Sequence, residues 1–333
     1  MEIMPLLPVD EESIGAAKRT SVAGIYDILI DGSNGSAAEQ KAAAEVQTGM
    51  PGVNIAVKEN ISFTRRCVKY MLQRGVTQFV DIGSGFLTTN SIHALDSAMK
   101  VVYVDKDPSV VEKGIELLGT IETATIICAD IRQPKDVLEN LGLTRLIDFS
   151  QPVGILMMYV ACFLKDPEIA SVMSSITSTI CDDSFVAMTH DTLDGHNGTD
   201  EKEKAAKALE VYANTSTPLY FRNHKEVEEI FGGLQIVDPG VVFPHEWHTE
   251  LDPKAPEATK WLYCGLAKKS PSPLPARNPQ IYANPMKLLT AFNQAALSGT
   301  SVFVILWYFI TFLVQSFMEV TNVSLPEPAA SDD

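Results

Sequence analysis

The sequence of 333 residues is short of positive charge: 26 lysines and arginines stand against 42 aspartates and glutamates, a formal net charge of −16. No basic cluster longer than a pair interrupts that balance. A binder of phosphate backbones is therefore disfavoured, and nucleic acid is not expected as a partner. Cysteine is sparse as well. The five present (Cys67, Cys128, Cys162, Cys181 and Cys264) are odd in number, widely spread and without a CxxC pair. That argues against metal fingers and against a disulfide framework, and it fits a reducing compartment. Residues 1–20 carry Glu2, Asp10, Glu11 and Glu12 and lack an apolar stretch, so no signal peptide is expected. His245-Glu246-Trp247-His248 lacks the H-E-x-x-H spacing that puts two imidazoles on one helix face. With Pro244 before it, a loop is the better reading, and no metal site is expected. What is present, 46% hydrophobic and 20% charged residues, suits one large α/β domain with additions or two modest domains.

Pattern divides the chain. Ser21–Ile30 and Ala37–Val46 read as short helices, and Asn54–Gln73 as a longer one with Ile61, Val68, Met71 and Leu72 on its apolar side. Together, residues 1–74 form an N-terminal helical cap. From 75 to 269, short apolar runs alternate with helical periodicity, which indicates a doubly wound sheet. The expected strands are Val76–Ile82, Val101–Val104, Thr123–Cys128, Val153–Val160, Ser184–Thr189, Leu234–Val237 and Trp261–Ala267. From Lys268 onward the character changes. Pro271, Pro273, Pro275, Pro279 and Pro285 make residues 270–297 an extended linker and connecting segment. Leu288–Met318 then contains no charged residue, and Ser298–Phe317 as a helix spans roughly 30 Å, the thickness of a bilayer core. An apolar helix packed on the domain or on a second subunit is the competing reading. Because the run is linker-tethered and long enough to span, residues 298–320 are expected to anchor the protein in a membrane. Lys287 before it and the acids after it put the catalytic domain on the cytoplasmic side.

The chemistry centres on Val80–Phe86, VDIGSGF. A β-branched run ends in an acid and turns at Gly83-Ser84-Gly85 toward an expected helix running to about Ala98. Gly83 permits the turn, Gly85 allows close approach of a ligand, and helix-start N–H groups near Leu87–Ser91 are placed to hold an anion. A dinucleotide fingerprint wants a third glycine where Thr88 stands, so NAD chemistry is disfavoured. An acid two residues before the first glycine fits S-adenosylmethionine instead. Asp81 would neutralise its ammonium, and Asp105, ~20 residues beyond Gly85, would accept from both ribose hydroxyls. Asp130 would accept from the adenine amine, with Ile131 against the ring. Asp107 reads as a helix cap.

These residues carry a resemblance. SVAGIYDILIDG (Ser21–Gly32), ENISFTRRCVKYM (Glu59–Met71), GVTQFVDIGSGFLT (Gly75–Thr88), VVYVDKDPSVV (Val101–Val111), Ala129-Asp130 and IDFSQPVGILM (Ile147–Met157) are similar, in order, to the S-adenosyl methyltransferase family. MTHDT (Met188–Thr192), STPLYFR (Ser216–Arg222) and LQIVDPGVV (Leu234–Val242) extend the match over roughly residues 21–268. The resemblance implies a Rossmann-like class I methyltransferase: an α/β fold with a seven-stranded, mostly parallel sheet, its last strand antiparallel. It also implies S-adenosyl-L-methionine as cofactor, held by Asp81, Gly83, Ser84, Gly85, Asp105, Asp130 and Ile131. Gly24 and Cys162 depart from the Arg and His usual there, on the substrate side of the pocket.

Methyl transfer is an in-line displacement from a sulfonium, so alignment and exclusion of water matter most, and a base is needed only if the acceptor loses a proton. In this architecture the pocket lies outside the carboxyl ends of the strands. That nominates Tyr159 and His190 as catalytic candidates, His190 competing with a plain backbone-bonded histidine. Tyr26, Asp27 and Asn60 of the cap are nominated for the substrate. The expected function is methyl transfer to a small, lipophilic, secondary-metabolite-like molecule at a membrane. The alternative is an inactive cofactor-binding or scaffold protein tethered there. Oligomeric state is not legible in the sequence.

Overall fold

A computed structural model describes residues 20–271 apart from 90, 197, 216 and 253–257, and the fold is that of the compact unit ending at Ser270. The expected linker beyond Pro271 and the apolar run 298–320 lie outside the described residues. No helix among the described residues is long and apolar enough to cross a membrane.

Seven strands form one sheet: β1 (Gln78–Ile82), β2 (Lys100–Asp105), β3 (Ala124–Cys128), β4 (Gly154–Met157), β5 (Phe185–Asp191), β6 (Gln235–Ile236) and β7 (Leu262–Lys268). Their order is β3-β2-β1-β4-β5-β7-β6. The first five are parallel, and β7 runs antiparallel to both of its neighbours, as the resemblance implies. Alternation along β1 assigns its side chains to two cores. Val80 and Ile82 pack with Val102, Val104, Ile155 and Val186 on one face; Phe79 joins Val101, Tyr103, Leu156 and Ala187 on the other. Both faces are covered, which is why these strands read as nearly continuous apolar runs. The strand order reverses between β1 and β4, and the crevice above that switch point is where an α/β sheet of this kind takes its ligands.

The helices follow from capping chemistry as much as from periodicity. α1 (Val22–Leu29), α2 (Ala37–Gly49) and α3 (Val53–Leu72) form the cap. Ser36 and Glu39 make a reciprocal capping box at the start of α2. Asp107 receives the Ser109 N–H at the start of α4 (Pro108–Leu118), the cap role expected of it. Short helices α5 (Pro134–Leu138) and α6 (Leu141–Thr144) precede β4, α7 (Asp166–Thr179) precedes β5, and α8 (Thr199–Ala213) and α9 (His224–Ile230) follow β5.

Two corrections emerge. The helix expected after the glycine turn is absent: this segment is irregular except for a 3-10 turn at Ile92–Ala94. Its polar side chains satisfy the backbone locally instead. Ser91 Oγ accepts the Thr88 N–H at 2.9 Å, and Asp96 Oδ1 accepts the Ala98 N–H at 2.9 Å, the competition that disfavours helix. With no helix start near Leu87–Ser91, an anion there would be met by single turn amides and not by a helix N-terminus. The cap, secondly, is not built from N-terminal segments alone. Ala205, Ala208 and Tyr212 of α8 share one core with Ile25 and Leu29 of α1 and Val46 and Met50 of α2. α8 approaches α2 so closely that a Cβ on Gly49 would stand 2.7 Å from the Lys204 carbonyl oxygen. The Trp261 indole N–H closes the arrangement by donating to the Pro51 carbonyl at 2.8 Å.

Candidate active site

Between the cap and the carboxyl ends of the strands lies a cavity of about 1150 Å³, larger than the ~300–1,000 Å³ usual for a single small ligand. Its two ends differ in chemistry.

One end is the turn after β1. Gly83 and Gly85 both have positive φ, 68° and 61°. A Cβ on Gly83 would strike Val160, whereas one on Gly85 would enter open space. The Gly83 and Ser84 N–H groups donate to the Val104 carbonyl at 2.7 and 3.1 Å, which ties the turn to β2. The amides of Phe86 and Leu87 make no hydrogen bond among the described residues, and both residues border the cavity. Asp81 faces the cavity with no hydrogen-bond donor among the described residues. Burial, and then the neighbouring Asp105 carboxyl, push it up to about 7. Asp105 is raised by the same burial, opposed by the amides of Asp107 and Gly85. Its Oδ2 accepts the Gly85 N–H and its Oδ1 the Asp107 N–H, each at 2.9 Å. A carboxylate still has lone pairs for further donors in that state. Asp130 is gripped by the Arg132 guanidinium; although burial pushes its carboxyl up, that fork outweighs it and holds the group below the usual range. Ile131 is buried beside it.

At the other end are aromatic rings and one chain of hydrogen bonds. The Tyr159 N–H donates to Thr189 Oγ1 at 2.8 Å, Thr189 Oγ1 donates to Asn60 Oδ1 at 2.8 Å, and Asn60 Nδ2 donates to the Tyr26 hydroxyl at 2.9 Å. Tyr26 and Tyr159 meet edge to face at 5.6 Å between centroids. Tyr159 sits at φ 54°, a left-handed conformation that an aromatic residue adopts only under constraint. The cap is latched over the cavity by Ser21 Oγ, which donates to Asp107 Oδ2, and by Lys106 Nζ, which donates to Thr217 Oγ1, both at 2.6 Å.

The sequence of this chain matches the description "S-adenosyl methyltransferase" over residues 10–270. The chain belongs to the S-adenosyl methyltransferase family. No curated protein matches it. Among solved structures it is similar to a candidate methyltransferase from Thermobifida fusca YX, with 26% identity and a TM-score of 0.69, over 76% of this chain and 96% of that one. A DUF574 family protein from Streptomyces avermitilis MA-4680 is similar at 25% identity and a TM-score of 0.68, over 75% of this chain and 98% of the other. The protein is thus a methyltransferase whose cofactor is S-adenosyl-L-methionine.

The residues of the first end fit that cofactor. An unpartnered, half-buried carboxyl at Asp81 suits an ammonium, two positive-φ glycines let backbone approach, and the amides of Phe86 and Leu87 are open to a carboxylate. Every residue nominated for the cofactor borders this methyltransferase cavity, as do Tyr26, Asn60 and Tyr159. Two nominees do not. The Asp27 carboxylate is turned into the loop after α1, where it accepts from the Asn34 N–H at 2.6 Å and Asn34 Nδ2 at 3.0 Å. His190 alternates away from the cavity along β5. Its Nδ1 donates to the Asp191 carbonyl at 2.9 Å, its Nε2 accepts from Arg222 at 2.7 Å, and burial lowers it to about 4. It is enclosed and does not border the cavity.

Two cavity residues escaped the sequence reading: Asp191 and Tyr212. For Asp191 a signal existed. Acids closing the first three strands drew attention to 81, 105 and 130, but β5 was ended at Thr189. The strand runs two residues further and also closes on an acid. The departures at Gly24 and Cys162 find places too. The Glu39 carboxylate fills the space a side chain on Gly24 would need, and the Cys162 thiol lies close to the Asp191 carboxyl.

Proposed function

We propose that this methyltransferase transfers the methyl group to a small lipophilic acceptor bound beneath the cap. What supports this reading is a continuous cavity, polar at the glycine turn and lined by Leu29, Met50, Val53, Tyr26, Tyr159 and Phe163 at the other end. An apolar, aromatic wall rewards burial of a flat or aliphatic molecule at ~25 cal/mol per Å² and excludes the water that would intercept the reaction. Asp81 pairs with the cofactor ammonium, Asp105 with the ribose and Asp130 with the adenine amine, while Ile131 packs on the ring. Gly83, Ser84 and Gly85 supply close backbone. Tyr26, Asn60 and Tyr159 shape the acceptor's pocket. The uncharged run Leu288–Met318 tethers the chain to a membrane, with the catalytic domain on the cytoplasmic side. That places the pocket where lipophilic substrates partition.

Calorimetric titration of the full chain with S-adenosylmethionine, followed by methyl release to a panel of hydrophobic acceptors, tests the reading. Saturable binding weakened by Asp105→Ala, with turnover on at least one acceptor, is expected. Binding without turnover on any of them would favour a scaffold. For the tether, the full chain is expected to sediment with membranes and resist alkaline carbonate; release by carbonate would refute it.

A further inference from the structure

The carboxyl that closes β5 has no part in the roles assigned above. Asp191 is 2% exposed and borders the acceptor end of the cavity. Its backbone is clamped from behind: the Asp191 carbonyl accepts from His190 Nδ1 at 2.9 Å and from the Arg222 N–H at 3.2 Å. Register with Leu262 on β7 fixes it from the side. No cation pairs with its carboxyl among the described residues, and the Cys162 thiol lies close to it. Phenol rings from three separate elements line the same cavity: Tyr26 of α1, Tyr159 after β4 and Tyr212 of α8. The Tyr159 hydroxyl is itself buried with no partner.

A buried carboxyl with no cation beside it, lining the same cavity as a tyrosine whose buried hydroxyl bonds to nothing, is costly unless a polar group arrives there. The cofactor ammonium is served by Asp81 at the opposite end. The group that completes this end belongs to the acceptor, and the surrounding rings favour one whose polar atom sits on a flat apolar body.

We propose that Asp191 is the general base of the transfer and that the acceptor presents an aromatic or enolic hydroxyl, so that oxygen receives the methyl group. This rests on the methyltransferase reading above. The Asp191 carboxylate takes the hydroxyl proton as the acceptor oxygen bonds to the methyl carbon. The bond from that carbon to the cofactor sulfur breaks, its electron pair staying on sulfur, so the products are a methyl ether and S-adenosylhomocysteine. Asp191 is left protonated and returns its proton to solvent when the site opens. Burial raises Asp191 to about 7, which suits a base working near neutrality. The groups facing it do not titrate there. Burial raises Tyr26, Tyr159, Tyr212 and Cys162 further from neutrality, and His190 behind it is lowered to about 4.

The test uses the full chain, labelled S-adenosylmethionine and 2-naphthol as a probe acceptor. S-adenosylhomocysteine binding is measured first; its failure would count against the methyltransferase reading itself, not against Asp191. With that binding in place, and S-adenosylmethionine held saturating at every pH so that Asp81 does not enter the profile, wild-type protein is expected to form the naphthyl methyl ether, with kcat/KM for naphthol rising with pH through about 7 and then levelling. Asp191→Asn is expected to slow transfer by about 100-fold or more and to abolish that rise, with S-adenosylhomocysteine affinity unchanged. As a readout apart from turnover, 2-naphthol is expected to bind the S-adenosylhomocysteine complex about tenfold more tightly than naphthalene, a preference Asp191→Asn erases. Transfer within about threefold of wild type in Asp191→Asn, methylation of aniline in preference to naphthol, or no ether at all from a protein that binds S-adenosylhomocysteine would each overturn the proposal. If Asp191→Asn does not fold, the wild-type profile decides: a flat rate across neutral pH overturns it.

Discussion

The two ends of the cavity are built by different means. At the cofactor end, backbone does much of the shaping: positive-φ glycines, a turn tied to β2, and carboxyls at the ends of β1 and β2 that sit in register (Asp81 beside Tyr103, Asp105 beside Cys128). At the acceptor end, side chains from distant segments converge, and one hydrogen-bond chain links α1, α3, β5 and the turn after β4. The first kind of site is fixed by local geometry and suits an invariant ligand. The second can be altered by changing one ring or one helix, which suits a variable acceptor.

Breaking the first end should have the largest effect. Asp105 holds the turn through Gly85 and is the proposed ribose acceptor. Asp105→Ala removes charged hydrogen bonds worth ~1.5–3 kcal/mol each. Calorimetry is expected to show S-adenosylmethionine affinity reduced by about 100-fold or more, since 1.4 kcal/mol is about tenfold.

At the second end the expected damage is to stability first. Asn60→Ala leaves the buried Thr189 hydroxyl without its acceptor and Tyr26 without its donor. About 1–3 kcal/mol of unfolding free energy should be lost, read from the midpoint of a urea titration. S-adenosylmethionine affinity should change far less than in Asp105→Ala. Equal losses of affinity in the two variants would show that the ends are coupled and that the distinction between them is false.

The same contrast explains what could be read from sequence. Asp81, Gly83, Gly85 and Asp105 were legible because a strand, a turn and the next strand encode them within a short stretch, and the chemistry of each position restricts the residue type. The acceptor end depends on pairings far apart in the chain. Tyr212 reaches the cavity only because α8 docks on α2 at Gly49, a contact no local pattern announces. Asp191 closes β5 and faces the cavity, whereas His190, one residue earlier, alternates to the other side of the sheet; a strand read as ending at Thr189 leaves that last pair without a face. The absent helix after Gly85 has a different origin: Ser91 and Asp96 offer the backbone local partners that outcompete a helix of weak propensity.

A pH titration sharpens the comparison at smaller amplitude. Asp81 titrates near 7 because burial and Asp105 disfavour its charge. An ammonium ligand prefers the carboxylate, so binding releases a proton, and affinity should rise with pH. Between pH 6 and 8 the gain expected from one such group is up to about tenfold, and Asp81→Asn should flatten the curve while weakening binding throughout. The sign for folding is opposite. A carboxyl whose folded pKa lies above its unfolded value holds an extra proton in the native state, so stability falls as pH rises from the unfolded value toward 7. Asp191 and Glu59, both raised to about 7 chiefly by burial, act in the same direction. The cofactor-free protein should therefore unfold at lower temperature at pH 8 than at pH 6, and S-adenosylmethionine should recover part of the difference.

The smallest effect is expected at Asp130, although it is one of the three acids in the strand-end series. Its carboxylate is already neutralised by the Arg132 fork, and both side chains are partly solvated, a setting in which ion pairs contribute ~0–1 kcal/mol. An adenine amine would gain one further hydrogen bond to an oxygen that keeps its other partners. Asp130→Ala should thus weaken S-adenosylmethionine binding by only about threefold to tenfold, with no pH dependence near neutrality because the group is held below its usual range. Calorimetry in parallel with Asp105→Ala checks this. A loss as large as that of Asp105→Ala would mean that the fork opens on binding and hands Asp130 to the cofactor unpaired, making the adenine pocket a moving part of a site otherwise shaped by fixed backbone.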